Sequence, residues 1–150
     1  MATTLTAATL TVAVSENLTL DGRVYDKTTT TTIASVKNVS SRIYSVPATT
    51  TLGVASLLSA PTSSEFDTEN TKYIRITNLD DTAELIVSLG MNATNAALDL
   101  KPLTSLPLFS VNANGAGSKA AITSIDDIEE IYVHNGTSSA VDVEVFIAGI

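Results

Sequence analysis

Residues 71–89 read TKYIRITNLDDTAELIVSL. Ile74 and Ile76 alternate with Tyr73, Arg75 and Thr77, and Leu85, Val87 and Leu89 alternate with Glu84, Ile86 and Ser88. Alternation with period two marks a strand with one buried face. Between the runs lies Asn78-Leu79-Asp80-Asp81-Thr82, rich in residues that turn the chain. Two such runs around such a turn predict a β-hairpin, with the other strands laid around it.

The rest of the chain repeats the signal. Residues 1–9 are small and polar and read as an N-terminal arm, followed by a single domain over 10–150. Leu10, Val12 and Val14, then Leu18 and Leu20, predict a first strand broken near Glu16 and Asn17. Asp21-Gly22 is a strong turn signal; Arg23 to Lys27 begins a second strand or stays in the loop. Thr28–Thr32 is a run of five threonines. It admits a flexible or O-glycosylated tract, but β-branched side chains favour extended backbone, so a strand is expected. Ile43 to Val46 is a short strand closed by Pro47, and Thr49–Leu58 another with Gly53 as a possible bulge. Residues 59–70 read as a surface loop pinned by Phe66, 90–95 as a loop, and Leu98 with Leu100 as a short strand before a Lys101-Pro102 turn. Pro107 places the Leu106–Val111 segment at an edge or a strand start. Residues 112–119 read as a flexible loop, Ile125 and Ile128 also fit one helical turn, and Ile131 with Val133 continue into a strand. Val141, Val143, Val145 and Ile147 give the cleanest alternation of all. Eight to ten short strands at this spacing predict an all-β fold, a two-sheet antiparallel sandwich of jelly-roll kind.

Composition narrows the function. The chain has 150 residues, enough for one domain with a substantial core. Charged residues are 16% of it, against roughly 25% in ordinary soluble domains. Such a surface suits a protein packed against neighbours, or simply one that uses threonine for its strand propensity. The net charge of −8 lies wholly in residues 76–150, where ten acidic residues face two basic ones. Phosphate binding needs a basic patch, so neither nucleic acid nor an anionic membrane is an expected partner. Absence of cysteine removes disulfides, thiolate metal sites and cysteine nucleophiles. Residues 1–14 lack the basic start of a signal peptide, and no run nears the roughly 18 apolar residues that span a bilayer. Synthesis and folding in a cytoplasm are expected, which still allows release within a particle on lysis.

Candidate chemistry is sparse. His134, the single histidine, stands beside Asn135-Gly136 and reads as an exposed turn residue without a catalytic partner. Asp126, Asp127, Glu129 and Glu130 crowd four carboxylates into five residues, which invites calcium. Their spacing does not match the helix–loop–helix calcium loop, and a solvated acidic edge that discourages strand pairing is the plainer reading. Asp80 and Asp81 read as turn formers. Four tyrosines, three phenylalanines and no tryptophan offer little aromatic platform for sugars; the tyrosines read as caps on core edges. Asn17, Asn38, Asn92 and Asn135 head formal glycosylation triplets, discounted for want of a secretion signal. No catalytic, cofactor-binding or metal-ligating residues are assigned, and no cofactor is expected.

Three phrases carry a resemblance: Tyr73-Ile74-Arg75-Ile76-Thr77-Asn78-Leu79-Asp80, Arg42-Ile43 leading to Pro47-Ala48-Thr49-Thr50, and Val141-Asp142-Val143-Glu144-Val145-Phe146-Ile147-Ala148. Taken in chain order, over most of residues 10–150, they resemble small β-rich structural proteins of tailed bacteriophages. The resemblance implies a non-enzymatic virion component, a capsid decoration (cement) protein or a small tail or head–tail protein. Its partners would be copies of itself, a homotrimer being one arrangement, and the major capsid protein or other virion proteins. A glycan-binding module at the tail is the alternative.

Overall fold

The computed structural model describes residues 6–58, 66–91, 94–100, 105–109 and 128–150, with backbone alone for 91, 94–100 and 105–109. Every regular element among them is a strand. The strands are β1 (Ala8–Glu16), β2 (Thr19–Leu20), β3 (Arg23–Val24), β4 (Lys27–Val36), β5 (Asn38–Val46), β6 (Thr50–Leu58), β7 (Phe66–Asp67), β8 (Thr71–Asn78), β9 (Leu85–Met91), β10 (Thr94–Leu100), β11 (Ser105–Phe109), β12 (Glu130–Asn135) and β13 (Val141–Gly149). The chain is all-β, with several antiparallel sheets, and divides into two compact units. Residues 1–37 with Ile150 form one, residues 38–149 the other. Ala8 and Thr9 of the expected arm lie in β1, and the predicted loop over 112–119 and the helical turn at Ile125 lie outside the described residues.

The first unit is a ribbon. β1 pairs with β4 and β2 with β3, both antiparallel. Leu10 faces Ile33, Val14 faces Thr29, Glu16 faces Lys27 and Leu20 faces Arg23, so one unbroken register runs through both pairs. Between them the Tyr25 amide donates to the Leu18 carbonyl at 2.7 Å. Residues 10–33 are therefore a single long hairpin, closed by Asp21 (φ 50°) and Gly22 (φ 77°). Two central residues with positive φ make the mirror-image turn whose twist matches flanking strands, which is why Asp-Gly stands there. Near its base Ser35 also takes positive φ (62°), where the register slips between Leu10 and Ala8; this is a bulge. Facing residues share a side of a ribbon. One side carries Leu10, Val12, Val14, Leu18 and Leu20 on the first arm, with Ile33 and Tyr25 on the second. The other side is mostly hydroxylic, with Thr11, Ser15, Thr19, Thr28, Thr30 and Thr32, but it also carries Ala13, Asn17, Asp26 and the exposed Val24. The five threonines thus form a strand.

The second unit, the body, holds two sheets. One has the order β10-β9-β12-β6-β7, the other β11-β8-β13-β5. Leaving aside the two-residue β7, which adds to β6 in parallel, eight strands remain, and they pair by a rule. The first (β5) pairs with the last (β13), the second (β6) with the next to last (β12), then β8 with β11 and β9 with β10. Contacts β13–β8 and β12–β9 complete the sheets. Val46, Ile74, Ile76, Val143, Val145 and Ile147 from one sheet join Leu57, Leu85, Val87, Leu89, Ile131 and Val133 from the other in one buried cluster. Full burial of such an aliphatic contributes roughly 1.5–3 kcal/mol. Phe66 packs against this cluster as expected, and Pro107 lies on the edge strand β11, where a missing amide costs no central ladder bond. Val54 is the unpaired residue of a bulge beside Gly53.

The predicted hairpin over 71–89 does not form. β8 and β9 lie in different sheets and never pair. Six residues, 79–84, carry the chain from one sheet to the other. Asn78 shapes this arch: its side-chain amide donates to the Ala83 carbonyl at 2.8 Å and its Oδ1 accepts from the Asp80 amide at 3.0 Å. Asp80 Oδ1 accepts from the Thr82 amide (2.8 Å), the Thr82 hydroxyl (3.0 Å) and the Ala83 amide (2.6 Å). These bonds satisfy the polar groups of the turn locally, so the strands need no ladder between them. The expected loop at 90–95 is also shorter, since β9 reaches Met91 and β10 starts at Thr94.

Candidate functional site

The outward face of the five-stranded sheet carries an open hollow of about 460 Å³, lined by Thr51, Ile86, Ser88, Tyr132 and His134. Strand register places these residues. His134 faces Thr51 on one side and Ile86 on the other; one step along, Tyr132 faces Gly53 and Ser88. His134 is therefore not a turn residue, as the neighbouring Asn135-Gly136 implies, but sits in a central strand. Its Nδ1 lies 3.0 Å from the Thr51 hydroxyl. The Tyr132 hydroxyl donates to the Glu130 carboxylate. That bond, with lesser help from desolvation and the carboxylate's charge, raises the Tyr132 pKa above its ordinary 10.0.

A second hollow of about 320 Å³ shares Tyr132 and adds Glu130, Arg42, Tyr44 and Phe66. Together the two offer hydroxyls, an imidazole, a carboxylate and aromatic edges. Such groups can hold a neutral polar ligand by hydrogen bonds and ring contact. For proton transfer His134 would need an orienting acceptor on its second nitrogen, and its one described side-chain partner is Thr51.

The acidic segment does not mark an edge where it is described. Glu130 opens β12, which lies between β9 and β6. Glu129 stitches the same junction through its backbone, donating to the Gly90 carbonyl at 2.9 Å and accepting from the Leu57 amide at 2.7 Å. Both side chains are exposed, Glu130 also accepting from Tyr132, while the backbone pairs on both sides, so the repulsive-edge reading fails here; Asp126 and Asp127 lie outside the described residues. Among the described residues no group of three or more His, Asp or Glu side chains could hold a metal ion. Asp80 is the turn former expected. Amide bonds from Ala83 and Thr82, then the Thr82 hydroxyl, hold its pKa below the ordinary 3.8.

The outward face of the other sheet is tied rather than open. Arg75 bridges to Glu144 at 2.7 Å and lies over the Phe146 ring, 5.4 Å from its centre. Phe146 meets Tyr73 edge-on at 6.0 Å, and Ser41 donates to Glu144 at 3.3 Å. Tyr73 is buried, which raises its pKa despite Arg75. Asn135 is also buried. Its side-chain amide donates to the carbonyls of Val46, Pro47 and Ser139 and its Oδ1 accepts from Thr137. It locks a loop, and its nitrogen has no room for a glycan.

The largest chemical irregularity is apolar. In the ribbon, Val14 (46%), Leu18 (54%), Leu20 (56%), Val24 (64%) and Tyr25 (52%) are exposed within twelve residues. In the body the most exposed are Val39 (59%) and Ile43 (66%), both on β5, an edge strand. Residue spacing alone does not reveal Thr51, Ile86 and Ser88 as site residues, because only strand partners bring them together. The ribbon's apolar side, by contrast, is written in the even positions from 10 to 20. No family model, curated protein or solved structure matches the chain.

Proposed function

We propose that this chain is a non-enzymatic structural protein of a virion that decorates or cements the outer capsid surface through many subunit contacts. The observation that carries the assembly half is the exposed ribbon of residues 10–33. A two-stranded ribbon is at best marginally stable alone in water, and exposed apolar side chains clustered on one are suited to a partner surface. Repetition on a lattice makes weak contacts hold by multivalency. The virion half rests on the resemblance of the three phrases quoted above. In the same reading the body is a two-sheet sandwich of jelly-roll type. The first-with-last pairing of its eight strands supports this: rolling one long antiparallel ribbon gives that order, and capsid and lectin domains use the architecture. Mass spectrometry of purified particles tests the proposal. The protein should be present at a copy number that is a large, fixed fraction of the major capsid protein; absence from intact particles ends it.

The Tyr132–His134 hollow favours a second reading, a glycan-binding module at the tail. Saturable binding on a glycan array, lost in Tyr132→Ala, would support that reading over the first.

A further inference from the structure

We propose that the apolar side of the ribbon is a self-association surface, and that its occupant is the same side of the ribbon in another copy, lying parallel to it. This rests on the assembly half of the reading above and not on the virion half.

Charge selects the occupant. Residues 1–37 hold three basic and three acidic residues, while residues 38–149 hold five basic and thirteen acidic. The ribbons therefore meet one another without net repulsion. The side that carries Val14, Leu18, Leu20 and Tyr25 also carries Arg23, which faces Leu20 near the tip, and Glu16 and Lys27, which face each other across the ribbon. No ion pair is described between Glu16 and Lys27. A rotation axis running along the ribbon lays the first arm of one copy against the second arm of the next. Glu16 of each copy then meets Lys27 of another, at the same level, with apolar side chains on both sides of the pair. An antiparallel arrangement would lay each arm on the same arm of the other copy, bringing Glu16 near Glu16 and Lys27 near Lys27 at the middle of the ribbon. The surface is thus self-complementary in one orientation.

The test uses the full chain in sedimentation and light scattering. The wild type should self-associate, and Leu18→Asp and Leu20→Asp should each weaken association by about a hundredfold, since a buried unpaired charge is strongly unfavourable. Far-UV circular dichroism and the unfolding midpoint control for folding. Glu16→Lys and Lys27→Glu alone should each weaken it roughly tenfold through like-charge contacts. Mixed together, the two charge variants should co-assemble, with one tagged chain retaining the other, because each supplies the opposite charge that its partner lacks. A monomeric wild type at about 0.1 mM, or Asp variants that are folded and associate like the wild type, would overturn the proposal. So would a mixture no better than its separate components. If particles contain the protein but these variants still self-associate, this inference fails while the proposed function stands.

Discussion

Residues 10–33 and residues 71–89 look alike on paper: two alternating runs around a turn rich in Asp, Asn or Gly. The first stretch is a hairpin and the second an arch between sheets. Two differences separate them. Asp21 and Gly22 form a two-residue turn with positive φ at both positions, which returns the chain beside itself. Residues 79–84 form a six-residue connection whose polar groups are satisfied by Asn78 and Asp80, which frees the next strand to leave the sheet. Burial differs too. Ile74, Ile76, Leu85 and Val87 are wholly buried in the shared core, whereas Val14, Leu18 and Leu20 stay exposed. Alternation reports which side of a strand is apolar; the turn's length and backbone angles report where the strand goes next.

The contrast can be broken at its strongest point first. Ile76→Ala should destabilise the body by about 2–5 kcal/mol, the range for truncating a buried aliphatic, measured by urea unfolding. The matching change in the ribbon, Val14→Ala, should leave that midpoint within about 0.5 kcal/mol, as expected at an exposed site. Asn78→Ala comes next. It leaves the Ala83 carbonyl without its side-chain donor and should cost about 1–3 kcal/mol, with faster amide exchange confined to residues 78–84. Gly22→Ala places a side chain at φ 77° and should cost the ribbon about 1 kcal/mol. Amide exchange over residues 10–33 should quicken while the body's midpoint holds.

The smallest effect sharpens the comparison through pH. Asp80 has a folded pKa below its ordinary 3.8, chiefly because the Ala83 and Thr82 amides bond its carboxylate. A depressed pKa stabilises the folded state fully above the ordinary value, and that contribution is lost as pH falls through the folded value. Unfolding midpoints should therefore fall below about pH 4 in the wild type, and Asp80→Asn should shallow that fall. A wild type and variant with parallel pH profiles would mean that these bonds do not stabilise the arch.

Much of the fold is legible before any coordinates. Val141 to Ile147 and Ile74 with Ile76 declare strands, Pro107 declares an edge, Asp21-Gly22 a turn and Phe66 an anchor, because each of these is a local property of the backbone or side chain. Pairing is not local. Nothing in Thr71–Leu89 says that β8 will lie beside β11 and β13, since two inward aliphatic rows look the same whether they share a sheet or face each other. The hollow is hidden for the same reason: Thr51, Ser88 and His134 come together only through the registers of three strands. The ribbon's second arm is masked in another way. Its alternate positions are threonine on both sides, so the period of two leaves no trace in Thr28–Thr32.

The pairing of β5 with β13 has a consequence for biosynthesis. Residues 38–46 leave the ribosome about a hundred residues ahead of the segment that hydrogen-bonds to them, a separation of the kind that slows folding. Until residues 141–149 emerge, β5 lacks its ladder partner, and Val46, wholly buried in the finished fold, has no Val141 opposite it. During translation that nascent strand is the natural client for a chaperone, and a stalled or truncated product would be the aggregating species.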